Sequence, residues 1–139
     1  MGDGPDREAL MEFADSLPCR KQIHFIPFNS KPFNLVRSAR CVTLTSRYEG
    51  FPMVLVEALS LGTPVVSLDI ISGPSEIISN RQNGLLVKER DTRIFAEALK
   101  QMVDDEKLYL HCKENARPSV KPFSLAEVGE KWHNLLQNV

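Results

Sequence analysis

Short β-branched runs alternate with helical patterns along most of this chain, and that alternation is what most restricts its fold. Residues 23–26, 41–45, 64–68 and 85–87 read as strands, the first ended by Pro27. Between and after them, 32–39, 52–61 (stopped by Gly62), 73–78, a run capped by Asp91 and a stretch over 105–116 read as helices. Ahead of the first strand, Ala9, Leu10, Phe13, Ala14 and Leu17 give a helical apolar stripe that Pro5 opens and Pro18 stops. A last helix begins at Ser124, with Glu127 in the position of a capping box and Val128, Trp132, Leu135, Leu136 and Val139 as its buried face. The ordering predicts an α/β, Rossmann-like, mostly parallel sheet with helices on both faces. One domain over 1–139 suits the length, with the turn Gly2-Asp3-Gly4-Pro5 expected to follow a strand of a larger protein.

Charge and cysteines narrow the function classes. Seventeen Lys and Arg stand against eighteen Asp and Glu, which argues against a nucleic-acid surface but not against a local positive pocket. Cys19, Cys41 and Cys112 are odd in number and widely spaced, so neither a disulfide framework nor a zinc site is expected. Reduced cysteines and the absence of a basic-then-apolar start suit a cytoplasmic chain, with membrane-peripheral association open through a further domain.

The stretch that carries chemistry is 46–58, SRYEGFPMVLVEA. It follows a strand and opens a helix, which in a parallel sheet places it at the carboxyl edge, where ligands bind. The first four N–H groups of a helix lack intrahelical partners, and the macrodipole adds about half a positive charge there. Gly50 permits close approach of a ligand to the backbone, Pro52 presets the first turn, and amides near Met53, Val54 and Leu55 are expected to hold a diphosphate. Glu49 and Glu57 flank them, and carboxylates accept paired hydroxyl bonds well. The eight-residue spacing says little by itself, because Glu89/Glu97 and Glu106/Glu114 repeat it on what read as solvated helix faces. A loop carboxylate and a helix-start charge remain an alternative account of Glu49 and Glu57.

As a whole, residues 46–66 closely resemble the retaining glycosyltransferases of family 4, which have the GT-B fold. The likeness continues through SGPSEII (72–78) and NGLLV (83–87), with GDGPD (2–6) and HFIPF (24–28) also fitting. It implies the carboxyl-terminal, nucleotide-sugar-binding half of such an enzyme. In that family the first glutamate contacts the donor sugar, a catalytic-site role that falls to Glu49. The second holds the ribose, a role for Glu57. Backbone of Gly50, Phe51, Pro52 (through its neighbours), Met53, Val54 and Leu55 would bind sugar and diphosphate, and Pro27 and Phe28 would lie near the base. The implied reaction is transfer of a hexosyl group from a UDP- or GDP-sugar to a glycan or lipid-linked hydroxyl acceptor, in polysaccharide biosynthesis. No metal cofactor is expected. The family's diphosphate-neutralising Arg and Lys, and its acceptor domain, would precede residue 2, so the segment is expected to be inactive alone.

Other residues suggest less. His24 reads as a core histidine, His111-Cys112 lacks further metal ligands, and Trp132 reads as packing. Arg47 and Lys31 could line the cleft, and Asp69 and Glu76 sit at the same sheet edge, where Gly73-Pro74 could close a loop over the donor. The rival readings are a non-catalytic nucleotide-binding domain and a nucleotide-sugar epimerase of the same fold. A receiver-like interaction domain lacks its acidic cluster.

Overall fold

The computed structural model describes residues 2–137. The chain divides into two compact units, Met1–Pro32 and Phe33–Val139. The first unit holds α1 (Arg7–Asp15) and a single 3-10 turn at Arg20–Gln22. The second runs α2 (Phe33–Ser38), β1 (Val42–Leu44), α3 (Met53–Ser60), β2 (Val65–Leu68), α4 (Pro74–Ile77) and β3 (Gly84–Val87). It continues with α5 (Thr92–Asp104), α6 (Glu106–Ser119), a turn at Lys121–Phe123 and α7 (Leu125–Gln137).

The sheet is parallel, in the order β1-β2-β3, with Val42 opposite Val65 and Val65 opposite Gly84. Each strand returns to the next through a helix, as parallel pairing requires. All four residues of β2 are buried, as a central strand covered on both faces must be. Its alternation feeds two cores. Val65 packs with Leu55, Leu59 and Ile77 of α3 and α4, and Val66 and Leu68 pack with Met102 of α5 and Leu108 and Cys112 of α6. Burial of each such side chain stabilises by roughly 1.5–3 kcal/mol.

Three local devices fix this frame. Gly84 is required because a Cβ there would overlap the Val65 carbonyl on the neighbouring strand. Asn83, buried, accepts from the Ser79 N–H (3.0 Å) and donates to the Ile77 carbonyl (2.9 Å) and the Ser119 hydroxyl (2.8 Å), tying α4, β3 and α6 together. Arg40 donates to the Met102 and Val103 carbonyls at the end of α5, pairs with Glu106 at 2.7 Å and lies over the Tyr109 ring. A cation on the last carbonyls of a helix is favoured by its dipole.

Several expectations are corrected. No strand forms at 23–26: a strand exists only as part of a ladder, and the bonds that reach that run, Gly2 N–H to the Ile26 carbonyl and two between Arg20 and Ile23, make none. Pro5 precedes α1 rather than opening it, and of the predicted α1 stripe only Ala14 is buried, while Leu10 and Phe13 are exposed. His24 is exposed, not a core residue. Pro52 is the residue before α3, at ψ 79°, not its first helical residue. Nothing on α7 is buried: Val128, Trp132, Leu135 and Leu136 all face outward, and Val139 lies outside the described residues. The capping box at Ser124 is half formed. Its hydroxyl accepts from the Glu127 N–H at 3.3 Å, but the Glu127 carboxylate faces Lys121 at 3.9 Å. No helix among the described residues is long and apolar enough to cross a membrane.

Candidate functional site at the start of α3

The loop from β1 to α3, residues 45–52, leaves the carboxyl end of its strand and turns into α3. Two contacts from the β2–α4 loop hold it. The Ser72 hydroxyl donates to the Glu49 carbonyl at 2.6 Å. Gly73, at φ +97°, lies so close to the Pro52 ring that a Cβ would collide with it. Only glycine satisfies both the backbone conformation and the approach. Pro52 is thereby buried beneath the loop, and Phe51 leans its ring on Phe123, with centroids 5.4 Å apart. Of the predicted loop closure at Gly73-Pro74, the structure shows this clasp on Pro52.

The tip of α3 is open. Phe51, Met53 and Val54 are exposed, while Leu55 is buried and anchors the helix in the core. No side chain caps this end, and its first turn carries no acidic residue, so the positive end of the dipole is not neutralised from within α3. Two of the three amides expected to be free are engaged locally. The Met53 N–H reaches the Phe51 carbonyl (2.8 Å) and the Leu55 N–H reaches the Pro52 carbonyl (2.9 Å). The Val54 N–H and those of Gly50 and Phe51 donate to no other described group. A Cβ on Gly50 would meet nothing within 4 Å, so no protein neighbour dictates glycine there.

Glu49 is half-buried and Glu57 exposed, and neither carboxylate forms an ion pair with another described residue. Of the other two pairs at this spacing, Glu106 is committed to Arg40, while Glu89, Glu97 and Glu114 are exposed and, like Glu57, unpaired among the described residues. Phe28 belongs to the first unit, is exposed, and has its N–H held by the Asp3 carboxylate at 2.9 Å. Burial pushes the Cys41 and Cys112 thiols up from their ordinary value, which keeps both protonated and unreactive at neutral pH. No group of three His, Cys, Asp or Glu side chains among the described residues converges as a metal site would.

Sequence reasoning missed Ser72 as the anchor of the Glu49 backbone, because a serine hydroxyl finding a carbonyl 23 residues away leaves no local pattern. It also missed Lys88 and Arg90. These share a cavity of about 270 Å³ with Arg47, Tyr48 and Asp69 beside the same loop. Their signal was available: basic residues directly after the carboxyl end of a strand.

The chain resembles proteins of known activity. The lipopolysaccharide 1,6-galactosyltransferase of Escherichia coli K12 is 31% identical over 141 residues, covering 98% of this chain and 38% of that protein. The poly(ribitol-phosphate) alpha-N-acetylglucosaminyltransferase of Staphylococcus aureus is 25% identical over 138 residues, covering 99% and 28%. Among solved structures, the lipopolysaccharide outer core galactosyltransferase WaaB in its apo form superposes with a TM-score of 0.88 at 26% identity, covering 99% of this chain and 40% of that one. S. aureus TarM, solved with fondaparinux, alpha-GlcNAc-glycerol and UDP, gives 0.87 at 26%, covering 95% and 27%. The chain spans from 14% to 41% of the length of the curated relatives it matches. These likenesses agree with the α/β architecture, a Rossmann-like half of the GT-B fold. The family model for glycosyl transferases group 1 matches residues 1–119, and the chain belongs to that family of enzymes.

Proposed function

We propose that this chain supplies the donor side of a retaining glycosyltransferase of family 4 and binds a nucleoside diphosphate sugar at the tip of α3. The observation that carries this reading is the tip itself: uncapped, exposed, with the Val54 amide free, yet held in place by Gly73 on Pro52 and Ser72 on Glu49. A helix end left open but rigidly mounted suits an anion that arrives from outside. The diphosphate takes the amides of Gly50, Phe51 and Val54. Met53 and Leu55 offer their bonded amides only if the first turn relaxes. Glu49 orients the donor sugar and Glu57 accepts the ribose hydroxyls.

Transfer breaks the bond between the anomeric carbon and the phosphate oxygen, and a new one forms to an acceptor hydroxyl, whose proton leaves with the departing phosphate. Charge grows on the departing diphosphate, and fixed amide dipoles stabilise it without reorganising. This reading assigns no step to a metal ion. The solved relative TarM was crystallised with UDP, which supports a uridine donor among the nucleotides to test.

Calorimetric titration with UDP, GDP and ADP, with and without EDTA, tests the reading. One nucleotide should bind, EDTA should leave its affinity unchanged, and Glu57→Ala should weaken it about tenfold or more, since a hydrogen bond to a charged group contributes roughly 1.5–3 kcal/mol. Affinity unmoved by Glu57→Ala would remove the basis of the assignment.

A further inference from the structure

Beside the α3 tip, three strand ends meet around the cavity lined by Arg47, Lys88 and Arg90, with Asp69 as its one acidic wall. Over the whole chain the charges nearly cancel, 17 positive against 18 negative. Three cations to one anion is therefore a local concentration of positive potential inside a concavity, which focuses attraction for anions. The neighbouring acids do not quench it. Asp91 spends its carboxylate on the Arg93 and Ile94 amides, and Glu89 lines the adjoining cavity, which Lys88 also borders, but not this one. Neither Arg47 nor Lys88 pairs with a described carboxylate, and Arg90 makes one long bond, 3.4 Å, to the Thr45 carbonyl.

The rim is of the opposite character. Ile71 is 98% exposed and Tyr48 82% exposed, and both line the same cavity. A bare isoleucine and a tyrosine next to arginine and lysine match neither a purely ionic ligand nor a purely apolar one. Tyrosine suits a boundary where one end is apolar and the other wet. We propose that this cavity is a second binding site, for an amphiphilic phosphate ester: the phosphate sits among Arg47, Lys88 and Arg90 while its hydrocarbon part lies on Ile71 and Tyr48. Arginine grips two phosphate oxygens in a planar fork and lysine adds a point charge. The site stands on its own residues and does not depend on the donor reading above.

The test is titration of the chain with three soluble probes: inorganic phosphate, dihexanoyl phosphatidic acid and dihexanoyl phosphatidylcholine, the lipids kept below micelle formation, followed by amide chemical shifts. The phosphatidic acid should bind at least about fivefold more tightly than inorganic phosphate and shift residues 47–48, 69–71 and 88–90, while the zwitterionic lipid should bind far more weakly. The double variant Lys88→Gln/Arg90→Gln should abolish the phosphatidic acid shifts, and Ile71→Ser should bring its affinity down to that of phosphate. Equal affinity for phosphate and phosphatidic acid, equal affinity for the two lipids, or shifts unaffected by either variant would overturn the proposal. UDP titrated into the same samples keeps the two readings separate. UDP binding without lipid binding sinks the second site alone, and lipid binding without UDP binding sinks the donor site alone.

Discussion

Helices α5 and α7 are each thirteen residues long, each begins with an oxygen-bearing side chain bonded to its first-turn amides, and each carries an apolar stripe. One is built into the molecule and the other is not. α5 lays Phe95, Ala98, Leu99 and Met102 against β2 and β3, and Met102 is 0% exposed. α7 follows the turn at Lys121–Phe123 with Trp132 60% exposed and no residue buried. The difference lies in what each stripe meets. α5 returns across a sheet whose face is made of Val66, Leu68, Leu85 and Val87, whereas α7 runs out after the last strand has been covered. An amphipathic helix specifies that one face favours an apolar neighbour, not that the chain provides one.

That contrast is broken or sharpened most strongly by paired truncations. Met102→Ala should destabilise the chain by about 2–5 kcal/mol in urea unfolding followed by circular dichroism, because it leaves a cavity between α5, α6 and the sheet. Trp132→Ala should change stability by about 0.5 kcal/mol or less, as expected of an exposed side chain. Trp132 is the only tryptophan, so its fluorescence in the unmodified chain reports α7 directly. Ready quenching by acrylamide is expected. A loss above about 1.5 kcal/mol for Trp132→Ala, or a shielded tryptophan, would show that α7 packs in solution and would erase the difference between the helices.

A second substitution asks whether the clasp beneath the α3 tip behaves like the α5 core or like the α7 surface. Gly73→Ala puts a Cβ at φ +97° and into the Pro52 ring. Residues forced into such backbone regions are destabilised by about 1–3 kcal/mol. The loss should appear in unfolding and, on the donor reading, as weaker nucleotide binding, because Pro52 sets where α3 begins. Unchanged stability would mean the two loops part freely, and the tip would then lack the fixed mounting assigned to it.

How much of this was legible in advance follows from the range of each interaction. β2 was visible as residues 64–68 because burial on both faces leaves an apolar run broken only by Ser67, and α5 was visible because Asp91 and a 3.6-residue period sit in one local stretch. The segment from Ser46 to Ala58 was legible as a strand-to-helix passage, and its placement at the carboxyl edge followed from the fold alone. What was not legible depends on distant partners. Residues 23–26 look like a strand in isolation, but ladders are made by neighbours. Asn83 reads as half of a turn dipeptide, yet its side chain joins three elements through Ile77, Ser79 and Ser119. Of the candidate site, the free Val54 amide was foreseen and the engaged Met53 and Leu55 amides were not. The reason is that Pro52 stands before the helix rather than in it, which tightens the first turn.

The smallest expected effect separates the two caps. The Asp91 carboxylate accepts from two amides, Arg93 at 2.7 Å and Ile94 at 3.2 Å, and places a negative charge at the positive end of α5. Ser124 offers one neutral hydroxyl at 3.3 Å, slightly longer than a normal N–H to oxygen bond, and its reciprocal partner is turned toward Lys121. Asp91→Ala should therefore lower stability by about 1 kcal/mol, while Ser124→Ala should cost about half of that or less. The second variant should act mainly on α7 itself, seen as lost helicity in circular dichroism with the cooperative transition unmoved, because a helix with no buried residue can fray without opening either core. If Ser124→Ala instead shifts the whole transition as far as Asp91→Ala does, α7 unfolds together with the sheet, and the exposed helix is energetically part of the core despite burying nothing in it.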